Sequence, residues 1–171
     1  MVKEAMETER LVLRMFRESD TDAYAEMVAD PEVMRFLGKP MSRPEAWRNM
    51  AMVLGHWHLR GFGFWAVEEK ESGELVGRVG CWQPEGWPGL EVGWALRRRF
   101  WGRGYATEAA RASLEYAFTK LDQTRVISLI APENVNSIRV AERLGEKPVG
   151  EWEVFGTKVI IHAVGREEFM R

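Results

Sequence analysis

The chain has 171 residues, 46% of them hydrophobic and 29% charged, a balance that excludes a disordered or fibrous protein and is enough to bury a core. The formal net charge of −2 argues against a general nucleic-acid binder, and the single cysteine, Cys81, excludes an intrachain disulfide and fits a reducing compartment. No stretch is apolar enough for a signal peptide or a membrane span, so the expectation is one cytoplasmic domain covering residues 1–171, with no membrane partner.

In chain order, "RLVLRMF" alternates apolar and polar and predicts a strand with Leu11, Leu13 and Met15 on one face. A helix follows, with Asp20 as its N-cap and Ala23, Tyr24, Met27 and Val28 as its stripe. "DPEVMRFLG" restarts a short helix, since Asp30 can cap it and Pro31 suits its first turn. Ser42 and Glu45 form a capping box for a longer helix whose expected stripe is Trp47, Met50, Ala51, Leu54, Trp57 and His58; Gly61 closes it.

The period then changes. "FGFWAVEE", "GELVGRVGCW" and "LEVGWAL" predict three strands, separated by turns rich in glycine and proline. A helix spans roughly residues 106–121, with Ala106, Ala110, Leu114, Ala117, Phe118 and Leu121 on its apolar face. "TRVISLIA" is a strand, "NSIRVAERLG" a helix stopped by Gly145, and "EWEVF" with "KVIIHAV" a hairpin around Gly156. Strands and helices do not alternate strictly, which predicts an α+β domain with a mixed sheet rather than a doubly wound fold.

The segment "RRRFWGRGYATEA", residues 97–109, lies between a strand and a helix. Its backbone includes the unpaired amides of a helix start, which together with the helix dipole favour an anion. Gly102 and Gly104 would let that anion approach, and Arg97, Arg98, Arg99 and Arg103 add positive charge. The alternative is a solvated basic turn. The segment lacks the Gly-Lys-Ser/Thr of a P-loop, and it lies too late in the chain for a Rossmann turn.

R-x-x-G-x-G followed by an alanine-bearing helix resembles the pyrophosphate-binding segment of the GNAT acetyltransferases. "ETERLVLRMF", "LEVGWAL", "ENVNSIRVAERLG" and "KVIIHAVGREEF" are similar, in order, to segments of the family's ribosomal-protein-alanine acetyltransferase branch (RimJ/RimL-like). The resemblance implies a GNAT fold, with a mixed central sheet, two splayed central parallel strands and flanking helices. It implies acetyl-CoA as co-substrate, with the backbone of Trp94, Ala95 and Leu96 pairing with the pantetheine. The pyrophosphate would lie on the amides of Gly102, Arg103, Gly104, Tyr105 and Ala106, with Arg99 or Arg103 and Thr107 assisting, and Asn134 would contact the cofactor arm. The alternative for Asn134 is a turn or cap residue.

The implied reaction is acetyl transfer to a primary amine, a protein N-terminal α-amine or a small molecule, by direct attack in a ternary complex. Glu91 shares a strand face with Gly93 and Ala95 and is the candidate base; its alternative is an exposed strand glutamate. The tyrosine that many members use as proton donor is replaced by Ala141, so Ser137 is the substitute, or else the cap of its helix. A second departure is Glu146, where the family usually has an aromatic. His162 is a lone strand histidine, more simply structural. Phe36 and Trp82 are candidate acceptor contacts, with Trp47, Trp57 and Trp87 nearby. No metal is implied. A homodimer is compatible with the sequence, and the competing functional class is a CoA-binding sensor without catalysis.

Overall fold

The structure is a computed structural model that describes residues 5–171. Eight strands form one sheet in the order β1-β2-β3-β4-β5-β6-β8-β7. They are β1 (Met6–Glu7), β2 (Leu11–Arg14), β3 (Phe64–Glu69), β4 (Leu75–Trp82), β5 (Glu91–Leu96), β6 (Arg125–Ile130), β7 (Lys147–Val154) and β8 (Thr157–Gly165). Every neighbouring pair is antiparallel except β5 and β6. The helices are α1 (Thr21–Ala29), α2 (Pro31–Met34), α3 (Arg43–Arg60), α4 (Tyr105–Thr119), α5 (Val135–Arg143) and α6 (Arg166–Phe169).

The expected elements are all present, with local corrections. The first strand stops at Arg14, leaving Met15 half-buried beyond it. Asp20 does not cap α1; its carboxylate is buried against the Arg14 guanidinium at 2.8 Å and accepts the Arg17 amide at 2.7 Å. A buried arginine needs that partner more than the helix needs a cap. On α3 the buried face is Ala46, Met50, Val53, His56 and Trp57, so Trp47, Ala51, Leu54 and His58 are exposed. Two polar contacts set this rotation: the Trp57 indole donates to the Phe64 carbonyl at 2.7 Å, and His56 Nδ1 lies 2.7 Å from the Phe62 carbonyl. On α4 the small residues Ala109, Ala110, Ser113 and Ala117 are buried and let the helix lie close on the sheet, while Ala106 is left half-buried.

Register divides the sheet into two faces. Val79 and Cys81 oppose Trp94 and Val92, and Cys81 Sγ lies 3.7 Å from the Ser113 carbonyl on α4. Trp94, Val92 and Leu96 therefore share the α4 face, and Glu91, Gly93 and Ala95 the face under α1.

The departure at Glu146 has a structural explanation. The residue is 3% exposed, and its Oε1 lies 3.0 Å from Ser128 Oγ, which donates to the Val92 carbonyl at 2.7 Å. The hydroxyl has one hydrogen to share between these two acceptors, and Glu146 Oε2 finds no partner among the described residues. Burial, reinforced by the charge of Glu91, pushes the carboxyl up to about 8. His162, opposite Ser128, is also buried, and its Nδ1 finds no partner among the described residues. Between the ordinary carboxyl pKa and about 8, the folded chain keeps a proton that the unfolded chain releases, so this residue costs stability progressively as pH rises through that window. Glu146→Gln removes that term. Urea denaturation should show the variant gaining on the wild type by up to about 4 kcal/mol between pH 5 and pH 9. Parallel pH profiles would contradict the raised carboxyl pKa.

Candidate active site

β5 and β6 pair in register only at Glu91 and Ile127, where the Ile127 amide donates to the Leu90 carbonyl at 3.0 Å. Beyond that point the strands part. Two of the β5 carbonyls on this edge are capped from elsewhere: Val92 by the Ser128 hydroxyl at 2.7 Å and Leu96 by the Trp101 indole at 2.9 Å. The backbone of Trp94 lies between them with no β6 partner. A cavity of about 1180 Å³ opens along this edge, and Trp94, Ala95 and Leu96 form one wall. Ser137 and Asn134 from the start of α5 line it too. Asn134 is also the N-cap of α5, its Oδ1 accepting the Ser137 amide at 3.2 Å, so the cap is Asn134 rather than Ser137. The Trp94 indole donates to Ser137 Oγ at 3.2 Å, which leaves the serine's own hydrogen free to be donated.

The same cavity reaches Gly102, Gly104, Tyr105, Ala106 and Thr107. Both glycines adopt left-handed backbone, with φ of +74° and +81°, and α4 starts at once after Gly104, so its first amides face outward unpaired. The loop is held by a residue that the sequence did not single out. Arg10 donates to the Arg103 carbonyl at 2.8 Å, pairs with Glu108 at 2.7 Å and lies over the Tyr105 ring at 4.5 Å. Thr8 adds a bond to Glu108. The partners stand about a hundred positions apart in the chain, so no local pattern could reveal them.

The arginines of this segment are not where the sequence suggested. Arg99 is paired with Glu74 and Arg103 with Glu69, and neither lines the cavity. Arg97 is not a solvated neighbour: it is 8% exposed, donates to the Leu75 carbonyl at 3.1 Å and pairs with Glu26 at 2.7 Å. The cations that do line the cavity include Arg111 on α4 and Arg139 and Arg143 on α5. Their signal was helical spacing: Arg111 follows Thr107 by one turn, and Arg139 and Arg143 share a face. The Tyr105 side chain turns inward to bond Glu69, which leaves its backbone as the part that faces the cavity.

Glu91 stands where the two strands part, on the α1 face of the sheet. It does not line the large cavity. Its carboxylate accepts the Trp87 indole N–H at 2.7 Å and lies 3.4 Å from the Leu129 amide. The residue keeps some solvent contact, but the carboxylate lies among protein atoms, and burial pushes it up to about 7 against the opposing pull of Trp87, Leu129 and Arg78. Such a group can take or give a proton near neutrality.

Beside it runs a ladder of planar groups. His56 stacks on Trp82 with centroids 4.2 Å apart, Trp82 on Phe64 at 4.8 Å, and the Arg78 guanidinium lies 4.6 Å from the Phe64 ring centre. Two glycines make room for it. A Cβ on Gly80 would lie 2.5 Å from the Gly63 carbonyl, and one on Gly93 would lie 3.2 Å from the Phe64 ring. His56 is held neutral, since burial lowers its pKa, Nδ1 donates to Phe62 and Nε2 accepts the Gln83 amide at 3.1 Å. Trp82 is 9% exposed within this ladder and does not line the cavity, whereas Phe36 does. Trp57 is core, and Trp47 is exposed, its indole bonded to Glu18 at 3.1 Å. Cys81 is buried, its thiol pushed up to about 12, too high for a nucleophile near pH 7.

Comparison with known proteins agrees with this geometry. A family model described as an acetyltransferase (GNAT) domain matches residues 10–147. The YkkB protein of Bacillus subtilis (strain 168) is 34% identical over 163 residues, covering 88% of this chain and 91% of YkkB. The Bacillus licheniformis protein named N-acetyltransferase p20 is 31% identical over 150 residues, 86% of this chain and 84% of its own. The crystal structure of an acetyltransferase from Agrobacterium tumefaciens str. C58 superposes with a TM-score of 0.86 at 30% identity, over 97% of this chain and 96% of that one. The eight-stranded mixed sheet with its parted central pair is the GNAT fold, and the chain belongs to the GNAT family of N-acetyltransferases.

Proposed function

We propose that the chain transfers an acetyl group from acetyl-CoA to a primary amine by direct attack within a ternary complex. The observation that carries this reading is the juxtaposition, at one point of the sheet, of an unpaired β5 edge and a carboxylate raised to about 7. The residues present fit the co-substrate. The free Trp94 backbone matches a chain of amides, and the glycine loop with the first amides of α4 matches a pyrophosphate. Arg111, Arg139 and Arg143 supply the positive charge expected of Arg99 and Arg103. When bound, acetyl-CoA supplies the activated acetyl group.

The chain's own residues handle the protons. Glu91 takes the proton from the incoming ammonium, directly or through a water. Ser137, oriented by the Trp94 indole, holds a hydrogen for the departing sulfur. An α-amine suits this base. Deprotonation at pH 7 costs about 1.1 kcal/mol for an α-amine and about 4.6 kcal/mol for a lysine. The acceptor class proposed is therefore an α-amine, on a small molecule or, as the ribosomal-protein branch resemblance suggests, at a protein N-terminus. The cell compartment that fits is the cytoplasm.

Glu91→Gln should lower kcat by about 10²- to 10⁴-fold and leave acetyl-CoA affinity within about twofold. In the wild type, kcat/KM should rise with pH through about 7 and then level, because the ionised carboxylate is the active form. Unchanged turnover in the variant would remove Glu91 from the mechanism. Gly104→Val forces a β-branched side chain onto φ +81°, with its Cβ 3.4 Å from the Arg10 guanidinium. Calorimetry should then show acetyl-CoA binding lost while circular dichroism shows the fold kept; retained tight binding would return the loop to an ordinary turn.

A further inference from the structure

The face of the sheet that carries Glu91 also carries three arginines, and they differ in one respect. Arg14 is committed to Asp20 and Glu68, each at 2.8 Å. Arg97 is committed to Glu26 and the Leu75 carbonyl. The guanidinium of Arg78, the middle one, has no hydrogen bond and no ion pair to any described residue, and it lies over the ring of Phe64 at 4.6 Å. A half-buried guanidinium without a carboxylate is uncommon, because desolvated charge is costly unless paired.

Small residues surround Arg78. Its register neighbours are Ala66 on β3 and Ala95 on β5, and the next residue on its own face of β4 is Gly80. Ala95 in turn is followed on this face by Gly93 and then Glu91. Four small residues thus lie between the guanidinium and the carboxylate along the sheet, and the Phe64 ring rests on them between the two. Glu91 and, on α1, Tyr24 feel the charge of Arg78, and the Tyr24 hydroxyl donates to Asn49 at 2.6 Å. An acceptor whose amine reaches Glu91 would therefore lie within one residue's length of an unpaired arginine fork.

We propose that Arg78 is a specificity-determining residue that binds a carboxylate on the acceptor, so that the preferred substrates are amines carrying a carboxylate close to the reacting nitrogen. This assignment rests on the acetyl-transfer reading given above. The guanidinium offers two parallel N–H donors that match a carboxylate, and stacking on Phe64 fixes its plane. The pairing also helps the chemistry. A nearby carboxylate holds the proton on an ammonium, and engaging that carboxylate with Arg78 releases the hold and brings the amine closer to the range of Glu91.

The test compares matched acceptors that differ only in the carboxylate: a series of L-amino acids, each against its own carboxamide. The wild type should acetylate the acids in preference to the carboxamides. In Arg78→Met, which keeps an apolar stem against Phe64, the ratio of kcat/KM for acid over carboxamide should fall by about tenfold or more, the factor a charge-assisted hydrogen-bonded pair supplies. Arg78→Lys should restore part of it. Calorimetry on the CoA-loaded protein should give the same ordering of acceptor affinity without any turnover. Equal losses for acid and carboxamide, or a wild type indifferent to the carboxylate, would overturn the assignment and leave the acetyltransferase intact. Failure to acetylate any amine would instead overturn the acetyl-transfer reading, and this one with it.

Discussion

The structure depends on a single strand pairing that stops. β5 and β6 are the one parallel pair of the described sheet, and they hold together in register only at Glu91 and Ile127. A sheet interior that ends its ladder in mid-strand leaves backbone donors and acceptors exposed, which is costly unless something else fills them. Here the Ser128 hydroxyl and the Trp101 indole each satisfy one carbonyl on this edge, and the Trp94 backbone between them faces the cavity. The gap also creates the vertex at which Glu91 sits. The cavity and the base candidate thus arise from the same interruption.

The two faces of β5 divide the work. On the α4 face, Trp94 orients Ser137, and the cavity runs from α5 to the glycine loop, whose shape is fixed by Arg10 and Glu108. On the α1 face, Glu91, the stacked ladder and Arg78 surround a floor of alanine and glycine. Strand alternation alone separates the groups that line the cavity from those around Glu91. Glu146 links the two, since its carboxyl and the Val92 carbonyl meet the same Ser128 hydroxyl, and its environment feels the charge of Glu91.

Much of this was legible in the sequence, and the rest was hidden for physical reasons. Order and type of the elements followed from hydrophobic period and from caps such as Ser42 with Glu45. The glycine loop, Trp94, Asn134 and Ser137 were legible because backbone conformation and capping are local, and the structure brings them to one cavity. Side-chain destinations were not legible. Arg99 and Arg103 sat in the right segment, but Glu74 and Glu69, from a distant hairpin, claim them. The buried face of α3 was misjudged because two hydrogen bonds to the segment after it, not apolar spacing, set its rotation. Glu146 read only as a departure from an aromatic, because a carboxyl buried against Ser128 leaves no mark in a pattern of apolar residues.

The central claim is that the parted edge of β5 and the start of α4 form the acetyl-CoA cleft. Amide chemical shifts followed by NMR during titration with acetyl-CoA test it most directly. The account predicts that Trp94, the glycine loop from Gly102 and the first amides of α4 shift together and saturate with one binding constant, while the β7–β8 hairpin tip stays still. Shifts confined to other surfaces, or binding that leaves the Trp94 amide unmoved, would contradict it.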